Sequence, residues 1–219
     1  MATLLGYPLA GRKKHSTRFN ALVLLMAAAA MIAASVIELI PAALAIDSGW
    51  ADSAVWLCAG FGVFVLIKLV SSLLQKHAAG LVGSTTVVTI ALTLHNIPEG
   101  TAAVAAASTD LTTGIHTGIA IALQNIPEGL SIAALAFAAG SSRRWTFGLV
   151  AVSAIAEVLG AAGVWVNREV LSPEINSHML LAVAAIMLAI SFIELIPDGI
   201  RLLQLNGKTP KTPIIPTNK

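Results

Sequence analysis

Six long apolar runs, separated by short polar connections, decide what this chain can become. They cover about 19–46, 53–75, 82–108, 112–140, 145–166 and 178–204. Each reaches the roughly 20 residues an α-helix needs to cross ~30 Å of hydrocarbon. In lipid, every backbone N–H and C=O needs a partner inside the protein, so such runs must be helical. The expected fold is therefore all-α, a polytopic transmembrane helix bundle of about six spans, with one transport-sized domain at 19–205. Residues 1–18 read as a basic cytoplasmic N-terminal segment, and 206–219, rich in Pro, Thr and Lys, as a disordered tail. Composition points the same way: 11% of residues are charged, 57% are hydrophobic and the mean hydropathy is +0.85. Soluble chains are about one quarter charged. A single cysteine, Cys58, excludes a disulfide framework, and neither the net charge of +2 nor its distribution supports nucleic-acid binding. No cleavable signal is expected, because the first apolar run is too long for an h-region.

Loop charges alternate along the chain. Arg12, Lys13, Lys14 and Arg18 precede the first span, and Asp47 and Asp52 follow it. Lys76 and His77 follow the second, Asp110 the third, and Arg143 and Arg144 the fourth. After a mixed loop with Arg168, Glu169 and Glu174, the last span is followed by Arg201, Lys208, Lys211 and Lys219. The positive-inside rule puts both termini in the cytoplasm, in a multi-pass protein of the cell membrane.

Within the spans the balance is acidic. Glu38, Glu99, Glu128, Glu157 and Glu194 lie well inside apolar runs, whereas Lys68 is the one basic residue there. Lys68 sits near the cytoplasmic end of its span and is expected to snorkel. A charge at mid-membrane costs roughly 2.5–3.5 kcal/mol on insertion scales, so five bare carboxylates would cost on the order of 12–17 kcal/mol. That is comparable to the whole stability of a folded protein, about 5–15 kcal/mol. These groups must be protonated, hydrated or bound to cations.

Two of the five sit in near-copies of one hexapeptide. The third span holds His95-Asn96-Ile97-Pro98-Glu99-Gly100 and the fourth Gln124-Asn125-Ile126-Pro127-Glu128-Gly129. Residues four apart share a helix face, so His95 lies one turn from Glu99, and Gln124 one turn from Glu128. Each central Pro removes a backbone hydrogen bond and is expected to bend its helix, freeing the carbonyls of Leu94 and Leu123. On antiparallel neighbours the two motifs can meet near the midplane. An imidazole with carboxylates and amides suits Zn²⁺, Fe²⁺, Mn²⁺ or Cd²⁺, with the amides keeping the site weak enough to release its cargo. The plain alternative is a pair of Pro-kinked helices with satisfied polar groups; the near-repetition of the motif argues against it.

HNIPEG followed by a second IPEG helix resembles the signature of the ZIP (Zrt/Irt-like) family of divalent metal-ion transporters. The Gln heading the second motif is similar to the GufA-like branch. The likeness runs from about Asn20 to Gly207. It implies a two-metal centre, with His95, Glu99, Gln124 and Glu128 around one ion and Asn96, Glu99, Asn125, Glu128 and Glu157 around a second. It also implies Met31 as a soft ligand of the first ion, packing being the alternative for that methionine. Two departures stand out: Asn125 occupies a position that is often Asp, and Val158 replaces a Pro after Glu157. Family members have eight spans. The six read here correspond to their second through seventh, so the first and last have no counterpart; either the core works without them, as an oligomer, or the chain is a fragment.

A second repeat is visible from the residues alone. Met31, Ser35, Glu38 and Pro41 in the first span recur at the same spacing as Met187, Ser191, Glu194 and Pro197 in the last. Spans of opposite direction carrying one pattern form an inverted-topology repeat. Glu38 then falls toward the outside and Glu194 toward the cytoplasm, where they can guard the two mouths of a pathway, with Asp198 extending the inner one. His116 and Asp110 read as interfacial residues with metal capture as the alternative, and His178 and Asp52 as ordinary loop residues. The expected function is divalent metal transport, zinc foremost, with import to the cytoplasm. The cation is substrate rather than resident cofactor, and the expected partners are metal ions, membrane lipid and a second copy of the chain. A non-transporting metal-binding subunit or sensor is the alternative. An intramembrane metal hydrolase is a weaker one, since it would need three strong ligands and an open position for water, so no enzyme is expected.

Overall fold

The computed structural model describes residues 1–11, 17–46, 49–77, 80–167, 169 and 172–206. Arg12, Lys13, Lys14, Asp47, Arg168 and the tail beyond Asn206 lie outside the described residues. All regular structure among the described residues is helical: α1 (Thr3–Ala10), α2 (Thr17–Ala33), α3 (Ile40–Leu44), α4 (Trp50–His77), α5 (Gly80–Thr109), α6 (Leu111–Ala138), α7 (Arg143–Asn167), α8 (Pro173–Ile190) and α9 (Ile196–Asn206). A π-helical turn, Ala34–Leu39, joins α2 to α3, and another, Ser191–Leu195, joins α8 to α9. Six long helical segments thus replace the six apolar runs. Five of them are long and apolar enough to cross a membrane, and the chain is an integral membrane protein. The sixth, α5, has 30 residues and so a length of ~45 Å; it packs on α6, α7 and α8 inside the bundle.

The surface confirms which way the helices face. On α6, Leu111, Ile115, Ile119 and Leu123 form an exposed stripe at four-residue spacing, and Val65, Leu66 and Leu69 are exposed on α4. Water would penalise such faces, whereas hydrocarbon covers them. The interior is built from small side chains. One apolar cluster gathers Met31, Leu39, Ala102, Ala105, Ala106, Leu180 and Met187, and a second gathers Ala10, Ile132, Ala133, Ala136 and Val150. Small residues let helices approach closely, which is how packing is gained where lipid is as apolar as leucine.

Two crossings show this at atomic scale. Gly100 on α5 meets the carbonyl of Glu157 on α7, and Gly160 on α7 meets the carbonyl of Ile97; a Cβ would lie only 1.9 Å and 2.1 Å from those oxygens. Gly129 on α6 and Gly6 on α1 cross in the same reciprocal way, with added Cβ atoms 1.8 Å from the carbonyl of Thr3 and 2.1 Å from the amide of Leu130. The glycines ending the two IPEG motifs therefore each seat a neighbouring helix.

Helix α1 lies within the segment expected to be merely a basic arm. Its Thr3, Gly6 and Ala10 are buried at helical spacing, and it packs on α6 and α7. Tyr7 holds it there, edge-on to Phe147 at 5.4 Å between ring centroids, with its hydroxyl donating to the carbonyl of Arg143 at 3.3 Å.

Both members of the inverted repeat adopt the same irregularity. The Ile40 N–H donates to the Ser35 carbonyl, and the Ile196 N–H to the Ser191 carbonyl, five residues back in each case. The physical cause is the proline that follows, Pro41 or Pro197. Its ring cannot fit against the carbonyl four residues earlier, so the turn before it widens. Glu38 and Glu194 stand in these widened turns. By contrast, α5 and α6 continue as helices through Pro98 and Pro127.

Candidate metal centre

The centre follows from the α5–α6 hairpin. A single residue, Asp110, separates the two helices, so they must run antiparallel. Asp110 caps α6 by accepting from the Thr113 N–H at 2.8 Å and the Thr113 hydroxyl at 3.0 Å. These donors hold its carboxyl below its ordinary value. A lowered folded value means that the cap's contribution is present above the unfolded pKa and is lost only as pH falls through the lower folded one. The cap is therefore kept to a lower pH than an unshifted carboxyl would allow. Counting from that turn, His95 lies fifteen residues before and Gln124 fourteen after. At 1.5 Å per residue both fall ~22 Å along their helices and at the same level.

There the side chains converge. His95 Nε2 is 2.8 Å from Glu99 Oε1 and 3.8 Å from Glu128 Oε1. The edge of a tetrahedral zinc shell, with ligands at 2.0–2.2 Å, is roughly 3.3–3.6 Å, between those two separations. One ligand atom from each of His95, Glu99 and Glu128 falls within 4.8 Å of the others, the one such group among the described residues. Gln124 donates its side-chain amide to Glu99 Oε1, so all four residues at the heads and tails of the two motifs form one cluster.

Burial makes the cluster costly without a cation. His95, Glu99 and Glu128 are 2%, 0% and 5% exposed, and among the described residues no basic side chain other than the histidine pairs with Glu99 or Glu128. Buried charge is tolerated when paired or metal-bound. The hydrogen-bond ledger is also open. Both ring nitrogens of His95, Glu99 Oε2, Glu128 Oε2 and the side-chain oxygens of Gln124, Asn96 and Asn125 are buried without a well-formed hydrogen bond. A concentration of orphaned lone pairs on two adjacent helices fits a divalent cation, which accepts several such donors at once.

The remaining expected ligands sit at or beyond the edge of this group. Asn96 donates its amide to Ser153 Oγ at 2.9 Å and to the Ser153 carbonyl at 3.3 Å, which ties α5 to α7. Ser153→Ala removes a buried partner and is expected to cost about 1 kcal/mol, read as a lower melting temperature in detergent. Glu157, one turn further along α7, pairs with the amino group of Met1 and lies within electrostatic reach of Glu128. Met31 is completely buried in the apolar cluster, together with its repeat mate Met187.

The outer and inner carboxylates of the repeat each have a partner that sequence reasoning passed over. Glu38 lies 3.4 Å from His116 Nδ1, across the contact between the first π turn and α6. Glu194 accepts from Lys68 Nζ at 3.0 Å. Lys68 does not simply snorkel: it lines, with Glu194 and Asp198, a cavity of about 430 Å³ that His95 and Glu128 also line. His178 and Asp52 are likewise not idle loop residues. They pair at 2.5 Å, and the imidazole stacks on Trp56 at 4.7 Å, clamping α8 to α4. In hindsight the signal for Lys68 was its solitude, since a lone cation among five membrane carboxylates has every reason to find one.

Known proteins resemble this chain in sequence. Residues 70–204 match the family described as ZIP Zinc transporter. The chain is 36% identical over 200 residues to the zinc transporter ZupT of Enterobacter sp. (strain 638), covering 84% of this chain and 77% of that protein. The ZupT proteins of Escherichia fergusonii and Salmonella heidelberg (strain SL476) are each 36% identical over 197 residues, with the same coverage. With two IPEG helices meeting at a buried imidazole–carboxylate cluster inside a membrane bundle, this chain belongs to the ZIP family of zinc transporters.

Proposed function

We propose that the chain imports divalent metal ions, zinc foremost, across the cell membrane into the cytoplasm, where both termini lie. The observation that carries this reading is the buried His95–Glu99–Glu128 cluster, of which His95 and Glu128 line one cavity with Glu194 and Asp198. A metal passing His116 and Glu38 at the outer mouth exchanges water for His95 Nε2 and the two carboxylates, with the Gln124 carbonyl as a fourth, weaker ligand. Asn96, Asn125 and Glu157, with the shared Glu99 and Glu128, surround a second ion; the unpartnered side-chain oxygens of Asn96 and Asn125 support that role. The amides and the single imidazole keep affinity moderate, as a carrier requires. Onward release runs through the cavity toward Glu194.

The ligands must be deprotonated to hold a cation, so binding should weaken as pH falls. That loss should come without loss of helix content by circular dichroism. Direction is tested with membrane vesicles of known sidedness. ZnCl₂ presented at the face bearing Glu38 should be accumulated, with Zn²⁺, Cd²⁺, Mn²⁺ and Fe²⁺ compared in competition. Accumulation only from the face bearing Glu194 would reverse the proposed direction.

A further inference from the structure

The cavity lined by His95, Glu128 and Glu194 also holds a cation of the protein's own. Lys68 Nζ sits 3.0 Å from Glu194 Oε1 and 5.8 Å from the centroid of the Phe64 ring, with about half of its side chain exposed. Phe64, Lys68, Glu194 and Asp198 all line that cavity, and the lysine's long side chain ties α4 to the second π turn. Glu194 is also within electrostatic reach of His95. An ion leaving the centre therefore moves toward a carboxylate that an ammonium already holds.

We propose that Lys68 is a tethered competitor: it occupies Glu194 between transport events, is displaced when a divalent ion arrives, and expels that ion by taking the carboxylate back. This rests on the reading of the cavity as the exit route. The chemistry favours such a device. Glu194 and Asp198 are four residues apart, line one wall and would together retain a divalent cation. A lysine is a compact point charge on a flexible stem, suited to moving on and off a single carboxylate. The aromatic face of Phe64 gives the displaced ammonium a nearby place to rest.

The test is the number of Cd²⁺ ions retained per chain by purified protein in detergent, measured by equilibrium dialysis, together with zinc flux in proteoliposomes. Lys68→Met should retain one Cd²⁺ more than the unmodified chain and transport zinc several-fold more slowly. The extra ion should vanish in Lys68→Met/Glu194→Gln, and Lys68→Arg should behave as the unmodified chain. A purely structural ion pair predicts something else: Lys68→Met would lower the melting temperature and leave the stoichiometry unchanged. That outcome, or an extra ion that survives Glu194→Gln, overturns the proposal while the central site stands. Cd²⁺ binding that persists unchanged in His95→Ala and Glu99→Gln would instead overturn the reading of the centre itself.

Discussion

Replacing Glu99 and Glu128 together by glutamine is expected to reduce zinc affinity by more than 100-fold and uptake to the level of empty vesicles, with the chain still inserted and helical. Outer-shell partners of metal ligands alone typically contribute about 10–100-fold, and this variant removes two anionic ligands at once. Shape is preserved and the buried negative charge disappears. The variant should therefore be no less stable in the absence of metal, and on electrostatic grounds more stable, because two carboxylates at 0% and 5% exposure no longer need a counter-charge. Isothermal calorimetry and thermal melting on the same samples separate the two effects: affinity collapses while the metal-free melting temperature holds or rises. Equal affinity in the variant would remove the cluster from the account.

The second large effect comes from a methyl group. Gly100→Ala places a carbon 1.9 Å from the Glu157 carbonyl, against backbone that cannot swing aside. The α5–α7 crossing must open, and with it the reciprocal contact of Gly160 on Ile97 and the bond from Asn96 to Ser153. Overpacking costs about 1–3 kcal/mol, and more where backbone opposes it, so the variant should melt well below the unmodified chain or fail to accumulate. His95 and Glu99 lie on the displaced helix, hence zinc affinity should fall too. Gly148→Ala and Gly163→Ala, on the same α7 but with open space at the added carbon, should be silent in both measurements. If all three behave alike, close packing at this crossing is not what the IPEG glycine provides.

Much of this was legible in the sequence, and the reasons are specific. Apolar run length fixed the six long helices, because lipid leaves the backbone no other choice. The four-residue spacing of His95 and Glu99 put both on one face before any coordinates, and the antiparallel order of their spans let Gln124 and Glu128 meet them. Pro41 and Pro197 marked the repeat, though the widened π turns they produce depend on how ring and carbonyl settle, which spacing does not reveal. What escaped was contact between distant segments. Helix α1 has eight residues, too few to read as a helix by pattern, and it forms because Gly6 and Gly129 let it nest on α6. The partners Ser153 for Asn96, His116 for Glu38 and Lys68 for Glu194 lie 57, 78 and 126 positions away. Only the packing of one helix on another names them.

The central claim is that the His95–Glu99–Glu128 cluster carries metal across the membrane. It is tested most directly by ⁶⁵Zn²⁺ uptake into proteoliposomes of the purified chain, with His95→Ala/Glu99→Ala as the comparison. The account predicts saturable uptake that the double substitution abolishes; uptake of the same rate and saturation in the substituted protein would contradict it.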